Sequence, residues 1–171
     1  NKSEKIFFKK DFNYLLSENN FFYYEDKFGG LKLPSNNFAQ FQISNISTAI
    51  STIRNLKQFN ITDENIKKGI TKIKSIARLQ EIKDGKLKKI ARDCTILVDG
   101  AHNEVAAISL SKHLKKNYKD KKIIICLGMM NNKSHNSYIS NFKSIAHSII
   151  ALDIPNQKNS MPKEDLKKII A

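Results

Sequence analysis

Tryptophan is absent from this 171-residue chain, and cysteine, proline and glycine are scarce, with two, three and six residues respectively. The cysteines form no C-x-x-C pair, so a zinc or redox site built on them has no support. Cys94 and Cys126 each lie within a β-branched, apolar run. We predict that both are small buried hydrophobic residues in a reducing cytoplasm. No apolar run reaches the roughly 18 residues of a membrane span, so we expect no membrane-embedded helix.

Acidic residues are also few: 16 Asp and Glu stand against 30 Lys and Arg, giving a net charge of +14. Such a charge permits a nucleic-acid or anionic-lipid partner. The lysines, however, form doublets scattered along the chain, and no helix-turn-helix, zinc or RNP pattern accompanies them. We therefore predict a cytoplasmic protein with no nucleic-acid and no membrane partner. A basic α/β module that binds nucleic acid remains an alternative, and its affinity would fall steeply as salt rises.

Apolar residues make up 40% of the chain and aromatic residues 9%, which is enough for a packed core. The chain begins at Asn1 without an initiator Met or a signal peptide, and its last predicted element is a helix that reaches Ala171. We expect that an N-terminal part is missing and that the C-terminal domain is incomplete.

The first part of the chain predicts a β-hairpin followed by two helices. The aromatic residues 21–24 and the segment Leu31-Lys32-Leu33 flank a turn at Phe28-Gly29-Gly30, and Pro34 ends the second strand. One helix carries an apolar stripe at 46, 49, 50, 53 and 56, and the next carries one at 66, 70 and 73. Thr62 or Asp63 is the predicted cap of the second helix.

From residue 78 onward the pattern predicts an α/β fold. A second hairpin is expected around Asp84-Gly85, between residues 78–82 and 86–90. Buried parallel strands are then predicted at 95–98, 123–127 and 148–152. They alternate with helices around 106–114 and 137–146 and with a last helix capped by Ser160. This order is typical of a mainly parallel, Rossmann-like sheet with right-handed crossovers.

The segment after the first of these strands, Asp99-Gly100-Ala101-His102-Asn103, is the most informative for function. In open α/β sheets, ligands bind beyond the carboxyl ends of the strands. Asp99 can accept hydrogen bonds from ribose hydroxyls, and Gly100 permits a tight turn or a close backbone approach. The helix that follows favours an anion at its N-terminus. The alternative is that Asp99 or Asn103 only caps that helix.

Other candidate residues carry weaker signals. Lys133 follows the second strand and can neutralise a phosphate or carboxylate, although a solvated loop lysine is the simpler interpretation. Arg78 can make forked contacts to phosphates and carboxylates that lysine cannot copy. Asn45 and Gln42 lie at the start of the first helix, where capping explains them. No metal site is predicted, because no ligand-like spacing accompanies the remaining histidines, His113, His135 and His147.

The order of these segments resembles the folylpolyglutamate synthase / dihydrofolate synthase family, which belongs to the Mur ligase superfamily. The resemblance covers nearly the whole chain and rests on K-D-F at 10–12, L-P at 33–34, Q-I-S-N at 42–45, A-R-L-Q at 77–80, D-G-A-H-N at 99–103 and G-M-M-N-N-K at 128–133. It implies that residues 1–76 are the C-terminal portion of a P-loop ATPase domain. Residues 77–171 would then be the smaller C-terminal domain.

The resemblance also implies a reaction and its participants. ATP, with Mg²⁺, would phosphorylate a carboxylate of dihydropteroate or of folate's glutamate tail, and the amine of L-glutamate would attack the acyl phosphate. Asn45, Arg78, Asp99 and His102 would contact the nucleotide, with Arg78 and Lys133 serving catalysis. The Mg²⁺ ligands are expected outside this chain, and a monomer is expected. The resemblance does not separate dihydrofolate synthesis from polyglutamate extension.

Several positions depart from the family pattern. Phe41-Gln42 replaces His-Gln, Ala77 replaces Gly, and Ser75-Ile76 replaces Trp-Pro. No G-x-x-x-x-G-K-[ST] phosphate loop occurs in this chain. We therefore predict that the chain alone neither hydrolyses ATP nor ligates glutamate. A Mur-type peptide ligase of cell-wall synthesis is the nearest alternative function, and the A-R-L-Q and D-G-A-H-N pairing argues against it.

Overall fold

The computed structural model describes residues 4–17, 19–35, 38–74 and 76–171. Its strands are β1 (Phe12–Leu16), β2 (Phe21–Asp26), β3 (Gly29–Pro34), β4 (Gln80–Glu81), β5 (Leu97–Val98), β6 (Ile124–Leu127) and β7 (Ser148–Ala151). Its helices are α1 (Gln40–Asn55), α2 (Asp63–Thr71), α3 (Gly85–Ile90), α4 (Glu104–Asn117), α5 (His135–Ser140) and α6 (Lys163–Ile170).

The chain divides into two compact units, Asn1–Ile76 and Ala77–Ala171. Each unit has its own cluster of buried apolar side chains. No helix in the described parts of the chain is long and apolar enough to cross a membrane.

The first unit is an antiparallel sheet in the order β1-β2-β3, packed against α1 and α2. The predicted hairpin is confirmed, with Phe22 opposite Leu33 and Tyr24 opposite Leu31. These four side chains are buried, whereas Tyr23 between them is 46% exposed, which is the alternation that a strand produces. Strand β1, which pairs with the other edge of β2, was not predicted.

Helix α1 forms where its apolar stripe predicted it, and its buried face overlaps that stripe, since Ile50 is buried and Ile46 packs against the core. Its buried residues are Ile43, Ser47, Ile50 and Ser51, whereas Ala49 of the predicted stripe is exposed. The two serines are small, so the helix can approach the sheet closely on this face. The buried face is therefore shifted from the predicted stripe toward small residues that permit close packing.

Helix α2 confirms the predicted cap. The Thr62 hydroxyl accepts a hydrogen bond from the Asn65 N–H at 3.2 Å, which satisfies a backbone donor that lacks an intrahelical partner. Ile66 and Ile70 are buried, as the stripe predicted. The helix ends at Thr71, so Ile73 lies beyond it and is 41% exposed.

The second unit alternates short strands and helices, which confirms the α/β class. Strands β6 and β7 pair in parallel, with Ile125 opposite Ile149. Helices α4, α5 and α6 bury Leu114, Ile139 and Leu166 in one cluster with residues of β6. The carboxyl ends of β6 and β7 therefore lie at the same edge of their sheet.

Two predictions about the start of this unit are wrong. Residues 86–90 are not the second arm of a hairpin, because they form α3. Strand β4 pairs instead with β5, and this pairing is antiparallel, with Gln80 opposite Val98. The run 95–98 is consequently not a parallel strand. A pairing distant in sequence outweighs the local turn signal, and the spacing of Leu87 and Ile90 suits a helix.

The prediction of buried cysteines is also wrong, since Cys94 and Cys126 are both exposed. Cys94 lies in a turn before β5. Cys126 shares the outer face of β6 with Ile124, which is 54% exposed. Alternation along the strand turns Ile125 and Leu127 toward the core and leaves Cys126 on the other face.

Two helix boundaries differ from prediction. Helix α5 covers His135–Ser140, so it is shorter than the expected 137–146. Helix α6 begins directly after Pro162, and Ser160 does not cap it. The Ser160 hydroxyl instead accepts a hydrogen bond from the Ile154 N–H at 3.4 Å. The Pro162 ring fixes φ near the helical value, so the helix begins after it.

Candidate functional site

The loop that follows β5, residues 99–102, is called the Asp99 loop here. The Asp99 carboxylate is half-buried and binds two backbone N–H groups. Its Oδ2 accepts from Leu79 at 2.7 Å, and its Oδ1 accepts from Ala101 at 2.7 Å. Since each carboxylate oxygen has a further lone pair, Asp99 can still accept a ligand hydroxyl. Asp99 thus holds two backbone segments together and keeps lone pairs for a ligand.

One of those segments is the Arg78 turn, residues 77–80. Ala77 and Leu79 have φ values of 50° and 51°, a left-handed conformation that costs a non-glycine residue about 1 kcal/mol or more. The Gln80 Oε1 accepts a hydrogen bond from the Ala77 N–H at 3.0 Å. Asp99 binds the Leu79 N–H in the same turn. Both left-handed residues thus donate to a side-chain oxygen.

Gly100 brings the Arg78 turn and the Asp99 loop into direct contact. Its N–H donates to the Ala77 carbonyl at 2.8 Å, and the Arg78 Nη1 donates to the same carbonyl at 3.1 Å. A Cβ atom built on Gly100 would lie 2.5 Å from that Nη1 atom. The Arg78 guanidinium therefore occupies the space that a side chain at position 100 would fill. The group that lies close to Gly100 in the structure is thus a side chain of this chain, whereas the sequence predicted a tight turn or a close backbone approach.

His102 and Asn103 complete the segment. The His102 Nδ1 lies 2.9 Å from the Gly100 carbonyl oxygen, and the ring is exposed. A carbonyl can only accept, so Nδ1 is the protonated nitrogen and Nε2 remains an outward acceptor in the neutral ring. Asn103 caps α4, because its Oδ1 accepts from the Ala106 N–H at 2.9 Å. The capping interpretation thus holds for Asn103. Asp99 does not cap α4, because it binds the N–H groups of Leu79 and Ala101.

The charge of Asp99 reaches two rings of the second unit. Burial, with the Asp99 charge as a second cause, raises the pKa of Tyr138 to about 12. Burial and the nearby Lys116 ammonium lower the pKa of His113, while Asp99 opposes that shift. The candidate site therefore faces α4 and α5 with a negative charge, and the exposed Arg78 guanidinium lies beside it.

Lys133 lies in the loop between β6 and α5, and its side chain is half-buried. Within the described part of the chain, it makes no hydrogen bond or ion pair. Three contacts hold the start of this loop: Asn131 N–H donates to the Asn159 carbonyl at 2.9 Å, Asn131 Nδ2 donates to the Ser160 carbonyl at 3.3 Å, and His135 Nε2 lies 3.0 Å from the Met130 carbonyl. His135 therefore orients the loop, a role that its sequence position did not indicate.

The structure brings three of the predicted site residues together: Arg78, Asp99 and His102, which meet around Gly100. Asn45 belongs to the first unit, where it is exposed on α1 and does not cap this helix, whose N-cap residue is Ala39. Capping is confirmed for Gln42, whose Oε1 accepts from the Ala39 N–H at 2.8 Å. Sequence reasoning assigned no role to Gln80, because its contact with the Ala77 N–H depends on the conformation of the turn.

Residues 4–17, 19–35, 38–74 and 76–171 contain no group of three or more His, Cys, Asp or Glu side chains placed to hold a metal ion. Mg²⁺ prefers several oxygen ligands in octahedral geometry. The described residues therefore do not fit a Mg²⁺ site, and no chemical step is assigned to a metal held by them.

Comparisons with known proteins identify the family. The family model "Mur ligase, glutamate ligase domain" matches residues 77–171, and the chain belongs to that family. The match begins at Ala77, the first residue of the Arg78 turn, and includes the Asp99 loop and Lys133.

Two curated proteins are similar in sequence. A dihydrofolate synthase/folylpolyglutamate synthase of Haemophilus influenzae is 29% identical over 126 residues, which cover 67% of this chain and 28% of that protein. A dihydrofolate synthetase of Saccharomyces cerevisiae is 30% identical over 107 residues, which cover 60% of this chain and 24% of that protein. The matches thus cover about a quarter of the length of these relatives.

Solved structures show the same fold. FolC of E. coli, in complex with DHPP and ADP, superposes with a TM-score of 0.80 at 20% identity, covering 95% of this chain and 36% of that one. A folylpolyglutamate synthase of Mycobacterium tuberculosis, complexed with ADP and AMPPCP, gives a TM-score of 0.79 at 15% identity, with 95% and 36% coverage. Both units of the chain therefore fall within the superposed region.

Proposed function

We propose that this chain is part of an ATP-dependent amide ligase that joins L-glutamate to dihydropteroate or to a folate. The observation that carries the proposal is the contact of the Arg78 turn with the Asp99 loop inside a glutamate ligase domain. This contact places the Arg78 guanidinium, the Asp99 carboxylate and the His102 imidazole around Gly100. A dihydrofolate synthase/folylpolyglutamate synthase and a dihydrofolate synthetase among its relatives support the substrate class.

The residue types suit the proposed chemistry. A carboxylate oxygen of the substrate attacks the γ-phosphorus of ATP, and ADP leaves. The amine of L-glutamate then attacks the acyl carbon, loses a proton and expels phosphate, which leaves an amide. Phosphoryl transfer depends on positioning and on neutralising negative charge. Arg78 supplies a planar cation with several donors for the phosphates.

The other predicted residues take complementary roles in this proposal. Asp99 accepts from the ribose hydroxyls through its remaining lone pairs, and the outward His102 Nε2 contacts the nucleotide. The Lys133 ammonium neutralises the glutamate carboxylate or the acyl phosphate. We assign residues 1–76 to the C-terminal portion of the ATPase domain, where Asn45 is the residue proposed to contact a nucleotide. Residues 77–171 form the C-terminal domain.

A chimaeric enzyme tests this proposal. The chain replaces the matching part of the H. influenzae relative, and ATP-dependent incorporation of labelled L-glutamate is measured with dihydropteroate and with a folate. We expect incorporation by the chimaera and none by the 171-residue chain alone, because the chain has no phosphate loop. Turnover by the chain alone would refute the assignment of the phosphate-binding loop to another part.

Site variants of the chimaera test the residue roles. We expect Arg78→Ala to lower kcat by about 100-fold or more, the typical loss when one donor to a developing charge is removed. Arg92→Ala is the matched control, since Arg92 is an exposed arginine of the same unit. Near-normal activity of both Arg78→Ala and Asp99→Ala would contradict the site assignment.

A further inference from the structure

We infer that Gln80 and Gly100 are positioning residues that direct the Arg78 guanidinium into the proposed nucleotide site. That the guanidinium points toward a nucleotide rests on the proposed function. The orientation of the guanidinium rests on contacts within this chain. Neither residue needs to touch a ligand in this role. Both act through the conformation of the Arg78 turn and the space beside it.

Gln80 acts on the backbone of the turn. A left-handed conformation at Ala77 and Leu79 is unfavourable and persists only where surrounding contacts enforce it. The Gln80 Oε1 accepts from the Ala77 N–H at 3.0 Å, and so closes the turn from its last residue back to its first. Asp99 binds the Leu79 N–H at 2.7 Å. If Gln80 lost its acceptor, one of these enforcing contacts would be missing.

The conformation of the turn determines the direction of the Ala77 carbonyl. That oxygen accepts from both the Gly100 N–H at 2.8 Å and the Arg78 Nη1 at 3.1 Å. A carbonyl oxygen has two lone pairs, so it can bind both donors together. The Ala77 carbonyl therefore fixes the guanidinium and the Asp99 loop to one atom. Rotation of the Ala77 backbone would release both.

Gly100 acts by having no side chain. The Arg78 Nη1 and Cζ atoms lie 2.5 and 3.7 Å from the place where a Cβ would stand. Any other residue at position 100 would push the end of the Arg78 side chain away. Glycine at this position therefore leaves room for the guanidinium in its observed orientation. Its backbone N–H also donates to the Ala77 carbonyl.

The chain itself offers a direct readout of this direction. It contains three arginines, Arg54, Arg78 and Arg92, so Nε–Hε correlations of the ¹⁵N-arginine-labelled 171-residue chain are assignable by single Arg→Lys changes. We expect Gln80→Met and Gly100→Ala to lower the heteronuclear NOE of Arg78 toward that of a mobile side chain. Gln80→Glu retains an acceptor oxygen and is expected to restore it. The Arg54 and Arg92 signals serve as internal controls.

An unchanged Arg78 signal in a folded Gly100→Ala chain would overturn the inference. If Gly100→Ala does not fold, the double variant Gly100→Ala with Arg78→Ala decides, because the guanidinium that would meet the new Cβ is gone. Recovery of the fold in that double variant supports the close contact. Continued failure to fold overturns it.

The chimaera separates this inference from the proposed function. We expect Gln80→Met to lower kcat by about 100-fold, as a small misplacement of a catalytic group does, with little change in KM. Its effect should vanish in an Arg78→Ala background, because Gln80 acts through Arg78. If the NOE falls while kcat is unchanged, the positioning of Arg78 is supported and the proposed role of Arg78 in the ligase fails.

Discussion

A single guanidinium connects three elements of the first unit, and its removal should be costly. Arg54, in the last turn of α1, donates from Nη1 to the Asp26 carboxylate at 2.8 Å and to the Gly29 carbonyl at 3.0 Å. Its Nη2 donates to the Asp63 carboxylate at 2.6 Å. Asp26 ends β2, Gly29 begins β3 and Asp63 begins α2. Arg54 also lies over the Tyr24 ring, 5.7 Å from its centroid.

Burial decides the magnitude of the effect. The side chains of Arg54 and Asp26 are only 6% and 2% exposed, whereas that of Asp63 is 56% exposed. Arg54→Met keeps the apolar volume but leaves the Asp26 charge buried. Among the described residues, its remaining hydrogen-bond donors are then neutral, the Tyr24 hydroxyl and the Phe28 N–H. Removing one partner of a buried ion pair costs about 3–5 kcal/mol. The exposed Asp63 pair contributes at most about 1 kcal/mol.

Urea unfolding, followed by circular dichroism and by backbone hydrogen exchange within the first unit, measures this cost. We expect Arg54→Met to lower the free energy of unfolding by about 3–5 kcal/mol, and Asp63→Asn to lower it by about 1 kcal/mol or less. Asp26→Asn combined with Arg54→Met should recover part of the loss, since the buried charge is then absent. A loss below about 1 kcal/mol for Arg54→Met would refute the reasoning from burial.

Three further predictions follow from single contacts. Ala77→Gly should raise the free energy of unfolding by about 1 kcal/mol in thermal melts, because the φ of 50° at this position suits glycine. The control Ala49→Gly, on the exposed face of α1, should lower it by a similar amount, and a lower stability of Ala77→Gly would contradict the prediction. Ser47→Ala should leave the free energy of unfolding in urea unchanged or raise it by about 1 kcal/mol, because the buried Ser47 Oγ has no hydrogen-bond partner within the described part of the chain. A decrease of more than about 1 kcal/mol would show that this hydroxyl does form a hydrogen bond. Asp99→Asn should lower the pKa of Tyr138, read by tyrosinate absorbance against a Tyr138→Phe reference, since the Asp99 charge helps raise that pKa to about 12; an unchanged pKa would show that burial alone causes the shift.

The raised pKa of Tyr138 also sets a pH dependence. The folded chain holds the phenol proton more tightly than the unfolded chain, whose tyrosine titrates near pH 10. The stabilisation is therefore fully present below about pH 10 and is lost as pH rises toward about 12. Two pKa units correspond to at most about 3 kcal/mol. Tyr138→Phe should reduce the pH dependence of the free energy of unfolding above pH 10, to which Tyr24, whose pKa is also raised by burial, contributes as well.

The sequence alone determined those features that depend on neighbouring residues. The apolar spacing and the Thr62 cap determined α2, and alternating apolar residues determined the β2–β3 hairpin. The α/β order of the second unit followed from short apolar runs between helical stripes. The D-G-A-H-N segment after a strand indicated the candidate site, and Gly100 indicated a tight turn or a close backbone approach within it. All these signals act over a few residues, where local geometry leaves few alternatives.

Tertiary structure alone decided the features that depend on residues distant in sequence. It paired β4 with β5 in place of the expected hairpin, and it left Cys126 on an open face of β6. It also joined Asp99 to the Leu79 N–H, 20 residues away, and placed the Arg78 guanidinium over Gly100. The physical reason is that such contacts depend on how separate segments pack and on which backbone donors they leave unpaired. A sequence pattern of period two or 3.6 carries no information about either.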